Sequence, residues 1–275
     1  MMKSLKKVCI ALLVLLSMAS LVACGSQNKE AGNNGANGEQ TEAQGEKTDG
    51  KVYKVGLDDT FVPMGYRNEK GELEGFDVDL AKEAAKLMGI ELEFTPVDWN
   101  YKEAELKAGN IDFIWNGYSI TPEREKQVLF SKPYMDNRQI IIVPEDSSIE
   151  QKADFKGKLV TLQADSSALE AVQKDQEFVN SLAGPLVEYP TNIEAFKDVE
   201  AGRSDGIVVD EVLARDYLKK NPDVKMKILE DNFGDEKFAV GMRKDDKELA
   251  EKLDKALDTL KENGKFKEIQ ERYFN

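Results

Sequence analysis

The residues best placed to do chemistry lie at the end of the stretch 111–124. The apolar segment 111–115 is typical of a buried strand, and Asn116-Gly117 is a turn dipeptide that ends it and leaves backbone N–H groups pointing outward. Thr121 can cap a helix that starts at Pro122, which places Arg124 in the first turn, beside the end of the strand. A guanidinium group binds a carboxylate with two parallel hydrogen bonds, and the Ser119 hydroxyl can add a donor. The stretch indicates a carboxylate-binding site, although a surface arginine on a surface helix fits it equally well.

A second segment repeats this pattern. Residues 108–114 and 201–207 share a helix end, an Ala-Gly-x-x-Asp spacing and the start of a strand. Asn116 follows the first strand and Asp210 the second. Because ligands of open α/β sheets bind beyond the carboxyl ends of the strands, the two segments predict two facing rims. A fixed cation at Arg124 and a fixed anion at Asp210 suit a zwitterion.

Alternating helices and strands are predicted to position these residues. Leu80, Ala84, Leu87 and Met88 form one helical face that ends at Gly89, and Asn100 with Glu103 has capping-box spacing for the next helix. Further strands are predicted at 52–57, 90–94, 139–143, 159–162, 186–189, 206–209 and 238–242. Further helices are predicted at 168–179 and 192–201, and two apolar stripes mark the last helices: Leu249, Leu253, Ala256, Leu257 and Leu260, then Phe266, Ile269 and Tyr273. Strands separated by helices predict an α/β fold with parallel sheets.

Composition excludes several classes of function. The formal net charge is −14, so a nucleic-acid partner is not expected, because phosphate contacts need a basic surface. The chain has no histidine, the usual general base and commonest metal ligand. Its two cysteines, Cys9 and Cys24, have neither disulfide-framework nor zinc-site spacing. We therefore predict no metal, no cofactor and no catalytic residue.

The N-terminal segment is typical of an exported protein. Lys3, Lys6 and Lys7 precede an apolar run at 8–22 that is too short to span a membrane, as in a signal peptide. The sequence before Cys24 resembles the lipobox of bacterial lipoproteins, which implies a signal peptide at 1–23 and lipid attachment, such as palmitate, at Cys24. An ordinary signal peptide with a chance cysteine is the alternative. Residues 24–50 have the composition of a disordered tether.

Two motifs, at 75–81 (Gly-Phe-Asp-Val-Asp-Leu-Ala) and 117–124 (Gly-Tyr-Ser-Ile-Thr-Pro-Glu-Arg), give the chain a resemblance to a known family. With the exported N-terminus, the chain resembles the polar amino-acid substrate-binding proteins of ABC transporters, solute-binding family 3. The resemblance implies a two-lobed, periplasmic-binding-protein-like clamshell, with crossing segments near 133–137 and 235–238. Lobe 1 would comprise 51–134 and 238–275, and lobe 2 would comprise 135–237.

The resemblance also implies how an amino acid would be held at its two charged ends. Arg124 would bind the α-carboxylate, helped by Ser119 and by backbone N–H groups at Ser166 or Ser167. Asp210 would bind the α-ammonium group. Asp165 stands where many relatives carry a small residue, which leaves the contacts from lobe 2 open.

The remaining site residues would surround the ligand side chain. The Asn116-Gly117 turn would add carbonyl groups near the ammonium. Phe61 and Trp99, whose neighbouring loop breaks favour exposure, would sandwich the side chain, although both could instead be core or rim aromatics. Asp58 would meet its polar end, although it could instead be a turn carboxylate, and Gln163 would close from lobe 2. The segment 75–81 is assigned to folding alone, because its apolar positions lie on the helix face.

The expected function is capture of a polar amino acid at the outer face of the cell membrane and delivery to an ABC permease with its ATPase, by a lipid-anchored monomer. Asp58 with Trp99 suits arginine or lysine through charge and cation–π attraction, while glutamine and cystine stay open and an acidic side chain fits least. One rival is a cyclohexadienyl dehydratase acting on prephenate or arogenate, with Asp58, Glu170 or Asp210 as the acid. Another is an amino-acid sensor module.

Overall fold

The structure, a computed structural model, describes residues 51–274. The predicted signal peptide, the lipid attachment at Cys24 and the predicted tether lie outside these residues. The strands are β1 Val52–Leu57, β2 Thr60–Phe61, β3 Gly65–Arg67, β4 Leu73–Glu74, β5 Glu91–Pro96, β6 Phe113–Ile114, β7 Leu129–Phe130, β8 Met135–Pro144, β9 Val160–Gln163, β10 Val187–Tyr189, β11 Gly206–Asp210, β12 Met226–Phe238 and β13 Gly241–Met242. The helices are α1 Phe76–Met88, α2 Lys102–Ala108, α3 Pro122–Gln127, α4 Ser167–Lys174, α5 Gln176–Ser181, α6 Asn192–Glu200, α7 Glu211–Lys220, α8 Lys247–Glu262 and α9 Lys265–Phe274.

The fold has two lobes, each built around a five-stranded sheet. The first sheet has the order β5-β1-β6-β13-β7 and the second β10-β9-β11-β8-β12. The neighbours β5, β1 and β6 are parallel, as are β10, β9 and β11, but β13 and β8 run antiparallel to both of their neighbours. The prediction of wholly parallel sheets is therefore wrong. Each of these two strands enters its sheet directly from a strand of the other lobe, β8 from β7 and β13 from β12, and not through the helical crossover that joins parallel neighbours.

The two lobes are joined through β8 and β12, which pair as antiparallel neighbours. Met135 lies opposite Phe238, and Asn137 lies opposite Glu236. The predicted fold class, with two segments crossing between lobes, is confirmed. Helix α7 and most of β12 were not predicted from the sequence, although Leu213, Ala214 and Tyr217 mark one buried face of α7 at helical spacing.

The ends of the helices follow local rules in most places. The Thr121 hydroxyl caps α3 by accepting a hydrogen bond from the Arg124 N–H at 3.2 Å, as predicted. Helix α1 ends at Gly89 in the left-handed conformation, as predicted. The Asn100 cap is wrong: the Asp98 carboxylate accepts from the Asn100 N–H at 3.0 Å and opens a short 3-10 turn, so α2 begins only at Lys102. An aspartate two residues upstream offers the turn a better acceptor.

The predicted apolar faces form most of the core of the first lobe. Leu80 and Ala84 of α1 are buried, as are Leu253 and Leu257 of α8. Leu87 is 49% exposed, so its predicted burial is wrong. It lies in the last turn of α1, in a surface groove beside the α8–α9 turn where the helix packing ends.

Candidate functional site

A cavity lies where the carboxyl ends of β1, β6, β9 and β11 meet, between the two lobes. It is lined by ten of the eleven predicted ligand-binding residues: Asp58, Phe61, Trp99, Asn116, Gly117, Arg124, Gln163, Ser166, Ser167 and Asp210. The eleventh, Ser119, does not line it, but its buried hydroxyl lies 3.1 Å from that of Ser167. The structure thus brings the predicted set together, while the role of each residue stays a prediction.

Arg124 is buried beside this cavity, with only 3% of its surface exposed, so the surface-arginine alternative is wrong. Its guanidinium donates from Nη1 to the Ser119 carbonyl at 3.1 Å and from Nη2 to the Asp165 carbonyl at 3.3 Å. The group also lies 4.5 Å from the centroid of the Tyr118 ring, which supports it by cation–π attraction. The Glu170 carboxylate lies 3.5 Å from Arg124 Nε. A buried, oriented cation of this kind can bind an anionic group strongly.

Ser119 contacts both Arg124 and Glu236, while its predicted role toward a ligand stays a prediction. Its backbone carbonyl, not its hydroxyl, contacts Arg124. The hydroxyl donates to Glu236 Oε2 at 2.6 Å. The same oxygen accepts from the Ser167 hydroxyl at 3.1 Å and from Gln139 Nε2 at 3.0 Å. Glu236 therefore joins groups of both lobes at the edge of the cavity.

Asp210 lies at the end of β11, buried and held by two amides. Its Oδ1 accepts from Asn137 Nδ2 at 2.6 Å and from Gln139 Nε2 at 2.8 Å. Burial, followed by the negative charge of Glu236, raises the pKa of Asp210 to about 7. Both amide donors project from β8, a strand that connects the lobes.

Sequence reasoning missed Glu236. It lies on β12 directly opposite Asn137, so its position depends on pairing between strands about a hundred residues apart. The chain carries 52 acidic residues, and nothing in its local sequence distinguishes Glu236 from the others. A prediction of β12 as the partner of β8 would have placed Glu236 opposite Asn137.

Asp58 and Gln163 meet across the cavity. Gln163 Nε2 donates to Asp58 Oδ2 at 2.9 Å, which joins the end of β9 in the second lobe to the end of β1 in the first. Asp58 Oδ1 also accepts from the N–H and hydroxyl of Thr60 at 2.9 and 2.6 Å. Burial raises the pKa of the Asp58 carboxyl above its ordinary value, against the effect of these hydrogen bonds.

The two aromatic residues are buried, not exposed as their neighbouring loop breaks indicated, yet both line the cavity. The Trp99 ring meets Tyr118 edge-on, with centroids 6.1 Å apart. Phe61 faces Gly117: a Cβ atom on that glycine would lie 2.5 Å from Phe61 Cε1. These two side chains face the cavity between the lobes rather than solvent, which is why exposure was the wrong expectation.

The Gly117 backbone N–H is not free, as the sequence reasoning had assumed. It donates to Asp77 Oδ2 at 2.6 Å, and the Tyr134 hydroxyl donates to the same oxygen at 2.9 Å. Gly117 has a φ of 55°, a conformation that favours glycine. Burial raises the pKa of Asp77 to about 7. The segment 75–81 therefore does more than fold: through Asp77 it holds the turn that lines the cavity.

The start of α4 brings helix N–H groups to the cavity. The Ser166 hydroxyl caps the helix by accepting from the Leu169 N–H at 3.2 Å, and it donates to the Gln163 carbonyl at 2.6 Å. Ser167 is the first helical residue. The positive end of a helix favours a negatively charged group.

Within residues 51–274, no cluster of three or more side chains could hold a metal ion. No helix in this part of the chain is long and apolar enough to cross a membrane.

Comparison with known proteins agrees with this geometry. The family model for bacterial extracellular solute-binding proteins, family 3, matches residues 53–275. The chain is 31% identical over 222 residues to ABC transporter arginine-binding protein 1 of Escherichia coli (strain K12), covering 80% of this chain and 89% of that protein.

Solved structures show the same fold. An ABC uptake transporter substrate binding protein from Streptococcus pneumoniae with bound histidine has a TM-score of 0.79 and 39% identity, covering 81% of this chain and 92% of that one. The ancestral amino acid-binding protein AncCDT-1, a precursor of cyclohexadienyl dehydratase, has a TM-score of 0.74 and 32% identity, covering 82% and 96%. From the matched family model, the two-lobed fold and these relatives, the chain belongs to the bacterial extracellular solute-binding proteins, family 3.

Proposed function

We propose that this protein captures a polar amino acid outside the cytoplasm and delivers it to an ABC importer, by closing its two lobes around the zwitterion. The observation that carries the proposal is the pairing of a buried cation, Arg124, with a buried anion, Asp210, on one cavity between the lobes. A free amino acid carries the complementary pair of charges. Capture and release need only reversible hydrogen bonds, and micromolar affinity corresponds to about 8 kcal/mol.

In this proposal the ligand carboxylate lies against Arg124 and the start of α4. The guanidinium provides two parallel donors, and the N–H groups of Ser166 and Ser167 lie at the positive end of the helix. The ligand ammonium lies against Asp210, whose carboxylate Asn137 and Gln139 hold in place. The Asn116-Gly117 turn lies beside it.

The charges around the cavity favour a ligand with a cationic side chain. Its lining holds two carboxylates, Asp58 and Asp210, and one cation, Arg124. Arginine or lysine carries one net positive charge and balances this set, and histidine does so when its imidazole is protonated. Asp58 would meet the side-chain cation, with Phe61 and Trp99 on either side of it. The Escherichia coli relative is named for arginine, and the Streptococcus pneumoniae structure contains histidine, which supports this choice. Glutamine and cystine are the alternatives.

We also propose that the mature protein is a monomer anchored by lipid at Cys24, with 1–23 removed as a signal peptide and 24–50 serving as a tether. The lobe boundaries are proposed at 51–134 with 238–275, and at 135–237. Sheet membership supports these boundaries, because β13 returns to the first sheet after β12 leaves the second.

A second candidate is a carboxylate-dependent cyclohexadienyl dehydratase. The specific observation in its favour is Asp210, because a buried carboxyl whose pKa is about 7 can donate a proton to a leaving group. The likeness to AncCDT-1 agrees with it. The Escherichia coli relative and the Streptococcus pneumoniae structure are named as binding proteins, and AncCDT-1 is an amino acid-binding protein that preceded an enzyme. Binding therefore remains the first choice.

The test is calorimetric titration of residues 25–275, unfolded and refolded to remove any carried ligand, with arginine, lysine, histidine, glutamine and cystine. We expect saturable binding of a cationic amino acid. Arg124→Ala should weaken it by 100-fold or more, on the order of 3 kcal/mol for two charge-assisted hydrogen bonds.

Arg215→Ala is the matched control, because Arg215 is an exposed arginine paired with Glu211 on α7. It should bind like the parent protein. If Arg124→Ala also bound as tightly as the parent, the carboxylate assignment would be wrong. Turnover of prephenate or arogenate by the parent protein would favour the dehydratase instead.

A further inference from the structure

Lys102 connects the two lobes outside the ligand cavity. It is the first residue of α2 and only 1% of its side chain is exposed. Its ammonium group donates to the Trp99 carbonyl at 3.0 Å, to the Asp165 carbonyl at 3.0 Å and to Asp165 Oδ2 at 2.6 Å. Two of these three acceptors belong to one residue of the other lobe.

The partners come from separate lobes. Helix α2 lies between β5 and β6 of the first sheet, whereas Asp165 lies between β9 of the second sheet and α4. Asp165 has a φ of 51° and is the one non-glycine residue with positive φ in the described part of the chain. This conformation is costly for a residue with a side chain, although aspartate tolerates it better than most. Here it directs the Asp165 carbonyl toward both Lys102 and Arg124.

Neither Lys102 nor Asp165 is part of the cavity lining. Lys102 lies behind Trp99, with its Nζ 5.0 Å from the ring centroid. The pair therefore bridges the lobes without lining the cavity. Its side-chain contact is separate from the Arg124 hydrogen bond, which uses the Asp165 carbonyl, so we expect the same contribution for every amino acid that closes the lobes.

We propose that the Lys102–Asp165 pair is an interlobe latch that sets ligand affinity by stabilising the closed arrangement of the lobes. The proposal rests on the proposed function. Separating the lobes would take both Asp165 acceptors away from Lys102 and leave its ammonium with water and two partners of its own lobe, the Trp99 carbonyl and the Glu103 carboxylate. A contact made only in the closed form increases the closed population, and a ligand that needs that form then binds more tightly.

Two consequences distinguish a latch from a ligand contact. Loss of the latch lowers affinity by the same factor for every ligand. The change also lies mainly in the dissociation rate, because the open form that ligands enter is unaltered. For one charge-assisted contact whose carboxylate is 53% exposed, we expect about a tenfold loss of affinity.

The experiment compares Asp165→Asn, Lys102→Met and the double variant with the parent protein. Asp165→Asn is the cleaner change, because asparagine tolerates a positive φ, keeps the backbone carbonyl and leaves Lys102 beside Trp99. Lys126→Met is the control, since Lys126 forms an exposed pair with Glu123 at 2.7 Å within α3. Thermal unfolding checks that each variant is folded.

Affinities and dissociation rates are measured for arginine, lysine and histidine, and small-angle X-ray scattering reports the lobe separation without added ligand. The latch predicts an equal loss of affinity for all ligands that bind, faster dissociation, a radius of gyration at least as large as that of the parent, and a double variant no weaker than the weaker single variant. The control should match the parent.

Unchanged affinity in Asp165→Asn, a loss that differs between ligands, or an additive double variant would overturn the latch. If the parent protein bound no amino acid, the proposed function would fail. The latch rests on that function and would fail with it, whereas a parent that binds and an Asp165→Asn variant that binds equally well would refute the latch alone.

Discussion

The affinity of the protein for an amino acid should fall as the pH drops below 7. Burial, together with the charge of Glu236, raises the pKa of Asp210 from 3.8 to about 7. The proposed role of Asp210 is to hold an ammonium group, which needs its ionised form. Below pH 7 the Asp210 carboxyl of the ligand-free protein is mostly protonated, and ligand binding must release that proton. Above pH 7 Asp210 is already ionised.

The size of this effect follows from the linkage between proton and ligand. One proton released per ligand lowers affinity tenfold per pH unit, about 1.4 kcal/mol, at pH values well below the pKa. Between pH 8 and pH 6 the dissociation constant should therefore rise by about tenfold. Asp210→Asn should remove this dependence and weaken binding at pH 8 by about 10- to 150-fold, which corresponds to a charge-assisted hydrogen bond of about 1.5–3 kcal/mol.

Glu236→Gln provides a second, directional check. It removes the neighbouring negative charge, so the pKa of Asp210 should fall and the loss of affinity should move to lower pH. Glutamine keeps an oxygen that can accept from the Ser119 hydroxyl, which limits other changes to the site.

The assay is calorimetry from pH 6 to pH 8 in buffers with different heats of ionisation, which counts the protons released on binding. The parent protein should release close to one proton at pH 6 and few at pH 8. A dissociation constant that stayed constant over this range would refute the reasoning. An Asp210→Asn variant with the parent's pH dependence would show that another group titrates.

Two further outcomes concern the turn beside the cavity. Gly117→Ala should lower the free energy of unfolding by about 1–2 kcal/mol, because φ is 55° and the new Cβ would lie 2.5 Å from Phe61 Cε1; chemical denaturation measures it, and an unchanged midpoint would contradict it. Asp77 has a folded-state pKa of about 7, raised by burial, so the folded state keeps a proton that the unfolded state releases above pH 4. The contribution of Asp77 to the free energy of unfolding thus falls by up to about 4 kcal/mol as the pH rises from about 4 to 7. Asp77→Asn should flatten this slope while keeping an acceptor for Gly117 and Tyr134, and equal slopes in both proteins would count against it.

Local sequence rules predicted most of what positions the site. Thr121 and Pro122 start α3 where expected, which fixes Arg124 next to the end of β6. Asp58 and Asp210 were found because each follows or ends a buried apolar strand, and the carboxyl ends of neighbouring parallel strands meet at one edge of a sheet. Residues that share such an edge can be brought together by reasoning about strand direction alone.

The failures involve contacts between segments far apart in the chain. The Gly117 N–H looked free because its acceptor, Asp77, is 40 residues away in α1. Glu236 was missed because its neighbours Ser119 and Gln139 are about a hundred residues distant. Side-chain hydrogen bonds of this range leave no periodicity or spacing that a sequence pattern could detect.

Lys102 shows that such a contact can still leave a local trace. A lysine at the first position of a helix lies at the positive end of the helix dipole, where a cation is unfavourable. Burying it costs more, since a buried ammonium must satisfy its donors, and burial lowers the pKa of Lys102. The Trp99 carbonyl and the Glu103 carboxylate, at 3.0 and 3.2 Å, offset part of these costs, and Asp165 of the other lobe supplies two further oxygens. A cation that opposes its own helix dipole is therefore a reason to look for a distant partner, and in this fold that partner lies across the cleft.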